Sequence, residues 1–208
     1  MGKPTLYGAD YSVYVRIARL ALAEKGVGHE LVPVDVFSPG GLPSWYLDLH
    51  PFGRIPAFEH DGLTLYETAA ITRYVDEAFP GPALQPTDAR ARATMNQIIG
   101  MLDAYAYRAM VWDVAVERLE KAAPDEALIA AALLQARTEL NSLSALKTGG
   151  PWLLGDQLTL ADLHAGPIVG YFAKVAEGRA AIAELPEIQA WWERLAARQS
   201  FLSTEPTG

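Results

Sequence analysis

Two predicted helix starts near the amino terminus carry hydroxyl side chains. Ser12 directly precedes a helix predicted over 13–25, and Thr68 begins another helix directly after Glu67. The first N–H groups of a helix lack intrahelical acceptors and attract anions, so a hydroxyl there either caps the helix or binds the negative group of a ligand. The sequence leaves both interpretations open at each position.

Ile55 and Pro56 stand directly before a predicted strand. If their peptide bond were cis, the N–H and C=O of Ile55 would face outward, where an extended ligand could pair with them. A trans proline in an ordinary loop is the alternative, and the sequence does not decide between the two.

Residues that other kinds of catalysis need are absent or scattered. The chain has no cysteine, so it supplies no thiolate, and any thiol chemistry requires an external thiol. Its histidines lie far apart without metal-ligand spacing, so we expect no metal site. Neither a glycine-rich phosphate loop nor a Gly-x-Ser-x-Gly nucleophile motif occurs.

The elements that would position these residues follow from the hydrophobic period of the first eighty residues. The Asp61-Gly62 turn between two apolar runs predicts a β-hairpin. The predicted strands are 3–7, 29–37, 55–60 and 63–66, and the predicted helices are 13–25, 68–78 and a short one near 44–49. This order predicts an α/β domain made of a βαβ unit, a hairpin and a helix.

Residues 79–86 contain three prolines and a glycine, which exclude a continuous helix or a central strand. Beyond them the sequence is rich in Ala, Leu, Glu and Arg, which predicts helices over 88–119, 125–146, 160–176 and 186–198. We therefore place an α/β domain at 1–80, a linker at 81–87 and an all-α domain at 88–208.

The composition excludes several classes of partner. The 208 residues carry a net charge of −8, which argues against binding nucleic acid or an anionic membrane. No apolar run of membrane-spanning length occurs. The sequence predicts a soluble, cytoplasmic protein.

Thr159 and Asp162 have the spacing of a capping box, with leucines placed to form a hydrophobic staple around them. We interpret this motif as a helix start and a folding signal, not as a functional site.

Taken in order, several motifs resemble cytosolic glutathione transferases over nearly the whole chain. They are Leu6-Tyr7-Gly8 with Ser12, Arg19 to Gly26, His50 to Ala57, Leu65 to Tyr74 and Leu154 to Asp162. Within that family the chain is most similar to the serine-type, phi-like branch of bacteria and plants. The resemblance implies a thioredoxin-like amino-terminal domain with a mixed four-stranded sheet, an all-helical carboxy-terminal domain, glutathione as co-substrate without a metal, and a homodimer.

The same resemblance implies roles for individual residues. Ser12 matches the serine whose hydroxyl donates a hydrogen bond to the glutathione sulfur. Pro56 matches a cis-proline, so the backbone of Ile55 is expected to pair with the cysteinyl residue of glutathione. Glu67 and Thr68 match the pair that holds the γ-glutamyl end, with Glu67 near the amino group and Thr68 on the carboxylate.

Two departures from the family pattern leave alternatives open. The loop after the second strand carries Gly40-Gly41-Leu42 where basic residues usually hold the glycine carboxylate of glutathione. Arg54 could supply that charge, or it could be an ordinary solvated arginine. Tyr7 lies near the position where tyrosine-type members place their sulfur donor, so it is the alternative to Ser12, although as the end of a strand it could instead belong to the core.

Aromatic and basic residues suggest the second substrate site and a subunit contact. Tyr105, Arg108 and Trp112 share one face of a predicted α-helix and, with Tyr11, could line a pocket for a small hydrophobic electrophile. A packing stripe is the alternative. Phe52 matches a position that some relatives insert into the partner subunit, or it packs locally within its loop.

The main functional hypothesis is an enzyme that activates glutathione as a thiolate for attack on hydrophobic electrophiles. A glutathione-dependent isomerase or peroxidase on the same fold is one alternative. A non-enzymatic member that binds ligands or another protein is the other.

Overall fold

The structure is a computed structural model that describes residues 2–206. The chain divides into two compact units, with residues 2–83 and 199–206 in the first and 84–198 in the second. The predicted domain ends at residues 1 and 208 lie outside the described residues.

A mixed sheet forms the centre of the first unit. Its strands are β1 (Thr5–Tyr7), β2 (Glu30–Val32), β3 (Ala57–His60) and β4 (Leu63–Tyr66). Their order is β2-β1-β3-β4, with β1 parallel to β2 and the other two pairs antiparallel. The predicted mixed four-stranded sheet of a thioredoxin-like domain is therefore confirmed.

The predicted hairpin is confirmed at the turn between β3 and β4. Asp61 and Gly62 have φ values of 48° and 82°. Positive φ at both central residues gives a turn whose twist matches that of the flanking strands, and the Asp-Gly pair tolerates it at low cost.

The second strand is shorter than the sequence predicted. We expected a strand over 29–37, but β2 ends at Val32, which pairs with Tyr7, the last residue of β1. Val34 still donates its N–H to Gly8 O at 3.3 Å and is buried, after which the chain leaves the sheet as a loop.

Helices cover the sheet of the first unit, and the predicted ones are present. They are α1 (Val13–Glu24), α2 (Ser44–Leu49) and α3 (Thr68–Ala78). The apolar side of α1 is buried, including Ile17 and Leu20, and the helix packs against α3. Burial of this face holds the first turn of α1, and with it Ser12, at the end of the sheet.

The last described helix, α10 (Gln199–Ser203), also belongs to the first unit. Arg16 of α1 donates to Phe201 O at 2.9 Å, stacks 4.0 Å above the Phe201 ring and forms an ion pair with Glu205. The predicted helical domain at 88–208 is therefore too long at its carboxyl end, because a buried arginine on α1 ties the last residues to the first unit.

The second unit is helical, as predicted. Its α-helices are α4 (Ala89–Met101), α5 (Glu117–Glu120), α6 (Glu126–Leu146), α7 (Leu160–Phe172), α8 (Ala176–Ala183) and α9 (Pro186–Ala196). Asp162 is fully buried near the start of α7 and accepts hydrogen bonds from the Leu153 N–H, the Thr159 N–H and the Trp191 indole N–H at 2.8 to 2.9 Å. The capping box at Thr159 is confirmed.

One predicted α-helix has a different winding. We expected an α-helix over 88–119, but residues Leu102–Val116 between α4 and α5 form a π-helix, here called the π segment. At its end, Glu117 donates its N–H to Trp112 O, a partner five residues earlier. Since each π turn holds more residues than an α turn, a face assigned on α-helical spacing does not apply to this segment.

Candidate active site

Ser12 lies at the amino end of α1, in extended conformation, and caps the helix. Its Oγ accepts a hydrogen bond from the Val15 N–H at 3.4 Å, longer than the usual range, so the cap is weak. Accepting that bond leaves the hydroxyl proton available for donation. A Cβ on Gly8 would lie 2.4 Å from Cγ2 of Val15, so glycine is required where β1 leads toward Ser12.

Tyr7, the alternative donor, ends β1 and has its hydroxyl engaged elsewhere. The phenol donates to Oε2 of Glu59 at 2.5 Å. That hydrogen bond, together with burial and the nearby negative charges of Glu59 and Glu30, raises the pKa of Tyr7 to about 12. The Tyr7 hydroxyl would have to break its hydrogen bond to Glu59 before it could donate to a ligand.

Two aromatic residues near the start of α1 form a pair. Tyr11 directly precedes Ser12 in the sequence, and Phe37 belongs to the loop after β2. Tyr11 and Phe37 stack with ring centroids 5.9 Å apart, and both rings are exposed. Asp35 links them, because its Oδ1 accepts from the Tyr11 hydroxyl at 2.8 Å and from the Phe37 N–H at 2.9 Å. Sequence reasoning named Tyr11 but missed Phe37, whose signal was only an exposed aromatic in a polar loop.

The bond between Ile55 and Pro56 is cis, one of the two forms that the sequence left open. Pro56 leads directly into β3. The preceding turn is anchored because the Tyr46 hydroxyl donates to Arg54 O at 2.6 Å. Over residues 2–206, the hydrogen bonds of the structure include none from the backbone of Ile55, and the Arg54 side chain is exposed.

The start of α3 differs by one position from the expected cap. Glu67, not Thr68, is the N-cap residue, with φ 69° and ψ 111°, and its carbonyl accepts from Ala70 and Ile71. Thr68 is the first helical residue and only 7% exposed. Within the described part of the chain, its hydroxyl has no hydrogen-bond partner. Glu67 has a positive φ, and directly after it the Thr68 hydroxyl lies at the amino end of α3.

His50 is a further residue that sequence reasoning did not assign to the site. It follows α2, its side chain is buried, and its ring centroid lies 5.0 Å from that of Tyr66, the residue before Glu67. A histidine before Pro51 carries no spacing signal of its own, so only the structure places it near the γ-glutamyl candidates.

Phe52 is 69% exposed, although its ring makes edge contacts with two neighbours. Its centroid is 6.0 Å from that of Tyr66 and 6.3 Å from that of His50. Local packing therefore covers only part of this ring, and a large apolar surface faces outward.

Two of the three residues predicted for the electrophile pocket from the second unit line one cleft. Tyr105 and Arg108 line a cleft of about 310 Å³ between the π segment and α6, together with Ala109, Leu128 and Gln135. Trp112 is not among the residues that line this cleft. Arg108 is ion-paired with Asp113, Nε to Oδ1 2.7 Å. The i, i+3, i+7 stripe assumed an α-helix, whereas these residues lie in the π segment.

Over 2–206, no helix is both long and apolar enough to span a bilayer. The same part of the chain contains no group of three His, Cys, Asp or Glu side chains arranged to hold a metal ion.

Family models match most of the chain. The model of the glutathione S-transferase N-terminal domain matches residues 6–83, and the model of the C-terminal domain of the same family matches residues 94–199.

Individual proteins match over nearly their full lengths. Glutathione S-transferase F13 of Arabidopsis thaliana is 34% identical over 97% of this chain and 94% of its own. The crystal structure of poplar glutathione transferase F1 has a TM-score of 0.85 and 26% identity over 98% and 97% of the two chains. A glutathione S-transferase from Methylobacillus flagellatus, solved with glutathione bound, has a TM-score of 0.81 and 25% identity over 99% and 100%.

Proposed function

The chain belongs to the glutathione S-transferase family, and we propose that Ser12 activates the thiol of glutathione for attack on hydrophobic electrophiles. The protein is a glutathione transferase with a thioredoxin-like first unit and a helical second unit. The assignments of individual residues below are proposals, each supported by the geometry of the first unit.

Glutathione would bind along the ends of α1, β3 and α3. We assign its γ-glutamyl carboxylate to the free hydroxyl of Thr68 and the N-terminus of α3, where the helix dipole favours an anion. Glu67 then faces the γ-glutamyl ammonium. The backbone of Ile55 pairs with the cysteinyl residue in the manner of an added strand, which its lack of other hydrogen bonds supports.

The glycine carboxylate would lie against Arg54. In the loop after β2, positions 40–42 offer no basic side chain, whereas the guanidinium of Arg54 is exposed next to the Ile55 backbone. A planar guanidinium fits a carboxylate with two parallel hydrogen bonds.

Ser12 would lower the pKa of the bound thiol with one hydrogen bond. A free thiol has a pKa of about 8.5 and is mostly protonated at neutral pH. The Ser12 hydroxyl donates to the sulfur and thereby favours the thiolate, while the N-terminus of α1 adds a positive field in the same place. The thiol proton leaves to solvent, and the thiolate sulfur then forms a bond to the electrophilic carbon, where either a leaving group departs or a π bond takes up the displaced electron pair.

The choice of Ser12 over Tyr7 makes this a serine-type, phi-like member. The Tyr7 phenol donates to Glu59, whereas the Ser12 hydroxyl keeps its proton free. The curated relative with 34% identity comes from a plant and the glutathione-bound structure from a bacterium, so the branch within the family is part of the proposal.

For the electrophile, the exposed Tyr11 and Phe37 rings supply an aromatic surface in the first unit. Tyr105, Arg108 and Trp112 remain proposed contributors from the second unit, although only the first two share a cleft. A small hydrophobic electrophile is the substrate class that such surfaces suit.

We propose that the protein works as a cytoplasmic homodimer in which Phe52 contacts the second copy. The ring is 69% exposed, and burying an aromatic ring of this kind contributes about 2 kcal/mol per side. The isomerase, peroxidase and non-enzymatic alternatives are not favoured by the matches above.

The observation that carries the site assignment is the hydroxyl of Thr68 at the start of α3, which has no hydrogen-bond partner among the described residues although the residue is only 7% exposed. Isothermal calorimetry at neutral pH should show saturable glutathione binding in wild type. Thr68→Val should weaken it about 10-fold or more, since a hydrogen bond to a charged group contributes about 1.5–3 kcal/mol. Thr94→Val in α4 is the matched control and should bind normally. Equal affinity in both variants would refute the γ-glutamyl assignment, and no binding by wild type would refute the function.

A further inference from the structure

Asp35 joins two loops of the first unit through a single carboxylate oxygen. Tyr11 lies in the loop between β1 and α1, and Phe37 lies in the loop after β2. The Oδ1 atom of Asp35 accepts from the Tyr11 hydroxyl at 2.8 Å and from the Phe37 N–H at 2.9 Å. The second of these bonds, to a backbone group two residues later, is an Asx-turn, which fixes the local path of the chain.

The two aromatic side chains that this oxygen connects stack on each other and remain exposed. Their ring planes are inclined by 28°, and Tyr11 and Phe37 are 41% and 61% exposed. Stacking of two rings in water is weak, and ordering side chains costs conformational entropy, so contact alone holds such rings only loosely. The hydrogen bonds of Asp35 therefore supply much of their alignment.

The protonation states of Tyr11 and Asp35 suit this link. Burial and the hydrogen bond to Asp35 raise the pKa of Tyr11, so the phenol keeps the proton that it donates. Hydrogen bonds from the Phe37 N–H and the Tyr11 hydroxyl lower the pKa of Asp35, so the carboxylate stays charged. The link is therefore in place at neutral pH.

The position of the ring pair indicates what it binds. Tyr11 directly precedes Ser12, which we assign to the glutathione sulfur. Exposed aromatic faces suit a flat apolar group, because stacking and the burial of apolar area both favour it. The peptide of glutathione contains no aromatic ring, so the group that fits this surface belongs to the second substrate.

We propose that Asp35 is a positioning residue for the second substrate: its carboxylate holds the Tyr11 and Phe37 rings as one preformed surface for a planar aromatic electrophile. The inference rests on the proposed function, in which Ser12 binds the glutathione sulfur. Asp35 does not touch the reacting atoms. It lowers the entropic cost of binding, because the two rings are already ordered when the substrate arrives.

The test compares two glutathione conjugates by calorimetry at pH 7. S-(2,4-dinitrophenyl)glutathione carries a planar ring on the sulfur, whereas S-methylglutathione has the same peptide without a ring. Asp35→Ala should weaken binding of the dinitrophenyl conjugate about fivefold or more, since two side chains must then be ordered on binding, and should leave the methyl conjugate unchanged. Asp35→Asn keeps an acceptor oxygen and should retain most of the affinity. Asp48→Ala on α2 is the matched control and should bind both conjugates normally.

A second measurement uses the unliganded wild-type protein, in which NMR should show nuclear Overhauser contacts between the ring protons of Tyr11 and Phe37. Their absence would overturn the inference, because the surface would not be preformed. Unchanged dinitrophenyl affinity in Asp35→Ala, an equal loss for both conjugates, or an Asp35→Asn loss as large as that of Asp35→Ala would also overturn it. Each of these results would leave the proposed function intact, whereas failure of the wild-type protein to bind glutathione or either conjugate would overturn both.

Discussion

Replacing Glu67 by glycine should change stability and ligand binding in opposite directions. Glu67 has φ 69° and ψ 111°, a region that side chains with a Cβ rarely occupy and that costs about 1–3 kcal/mol. Glycine adopts this conformation freely but loses about 0.5–1 kcal/mol more conformational entropy on folding. The net change is a stabilisation of up to about 2 kcal/mol.

Binding should weaken in the same variant. Glu67 is exposed, so solvent screens its attraction for the ligand ammonium, and we expect a loss of about tenfold in glutathione affinity rather than the full value of a buried charged hydrogen bond. Glu67→Gln separates the two effects, because glutamine keeps the strained backbone and removes the charge. Its affinity should fall similarly while its stability stays near that of wild type.

The assay combines thermal unfolding without ligand and calorimetry with glutathione. Glu67→Gly should raise Tm by a few degrees, since 1 kcal/mol corresponds to about 2–4 °C in a chain of this size. A lower Tm for Glu67→Gly would refute the strain argument. Unchanged affinity in both variants would refute the role of the carboxylate.

Three further outcomes follow from the packing and the exposed groups. Asp162→Ala should lower the free energy of unfolding in urea by about 3 kcal/mol or more, because the buried N–H donors around it lose their acceptor; a loss below about 1 kcal/mol would contradict this. Phe52→Ala should shift light-scattering mass from dimer toward monomer while Phe37→Ala does not; equal masses would favour local packing of Phe52. Arg54→Gln should raise KM for glutathione at unchanged kcat, and an unaltered KM would mean that Arg54 is only a solvated arginine.

Local signals in the sequence predicted most of the first unit. The Asp61-Gly62 turn defined the hairpin because few residue pairs accept positive φ at both positions. The start of α3 at Thr68 was also predicted, but the cap was placed on the hydroxyl side chain instead of Glu67. Nothing in the sequence shows that a glutamate will adopt a positive φ, since tertiary contacts impose that conformation.

Hydrogen bonds between residues far apart in the chain could not be predicted from the sequence. The hydrogen bond that removes Tyr7 as a free donor comes from Glu59, fifty-two residues away, and becomes visible only once β1 and β3 pair. The return of the chain end to Arg16 likewise depends on packing of α10 against α1.

Helix winding limited the prediction of the second unit. Apolar spacing around Tyr105 and Trp112 fits an α-helix locally, and no single residue in the segment signals π geometry. The expected stripe depended on α-helical winding. Tyr105 and Arg108 line a cleft with α6, and Trp112 is not among its lining residues. Family resemblance led to the proposed site residues of the first unit, which lie at helix and strand ends, more directly than composition could.

The most direct test of the central claim is an ultraviolet titration of the thiolate of bound glutathione in wild type, Ser12→Ala and Tyr7→Phe. In wild type the bound thiol should titrate below the free value of about 8.5. Loss of one charge-assisted hydrogen bond, about 1.5–3 kcal/mol, should move the midpoint about one to two pH units higher in Ser12→Ala. Tyr7→Phe should titrate like wild type. A midpoint that moves only in Tyr7→Phe would contradict the account and leave Ser12 as a helix cap.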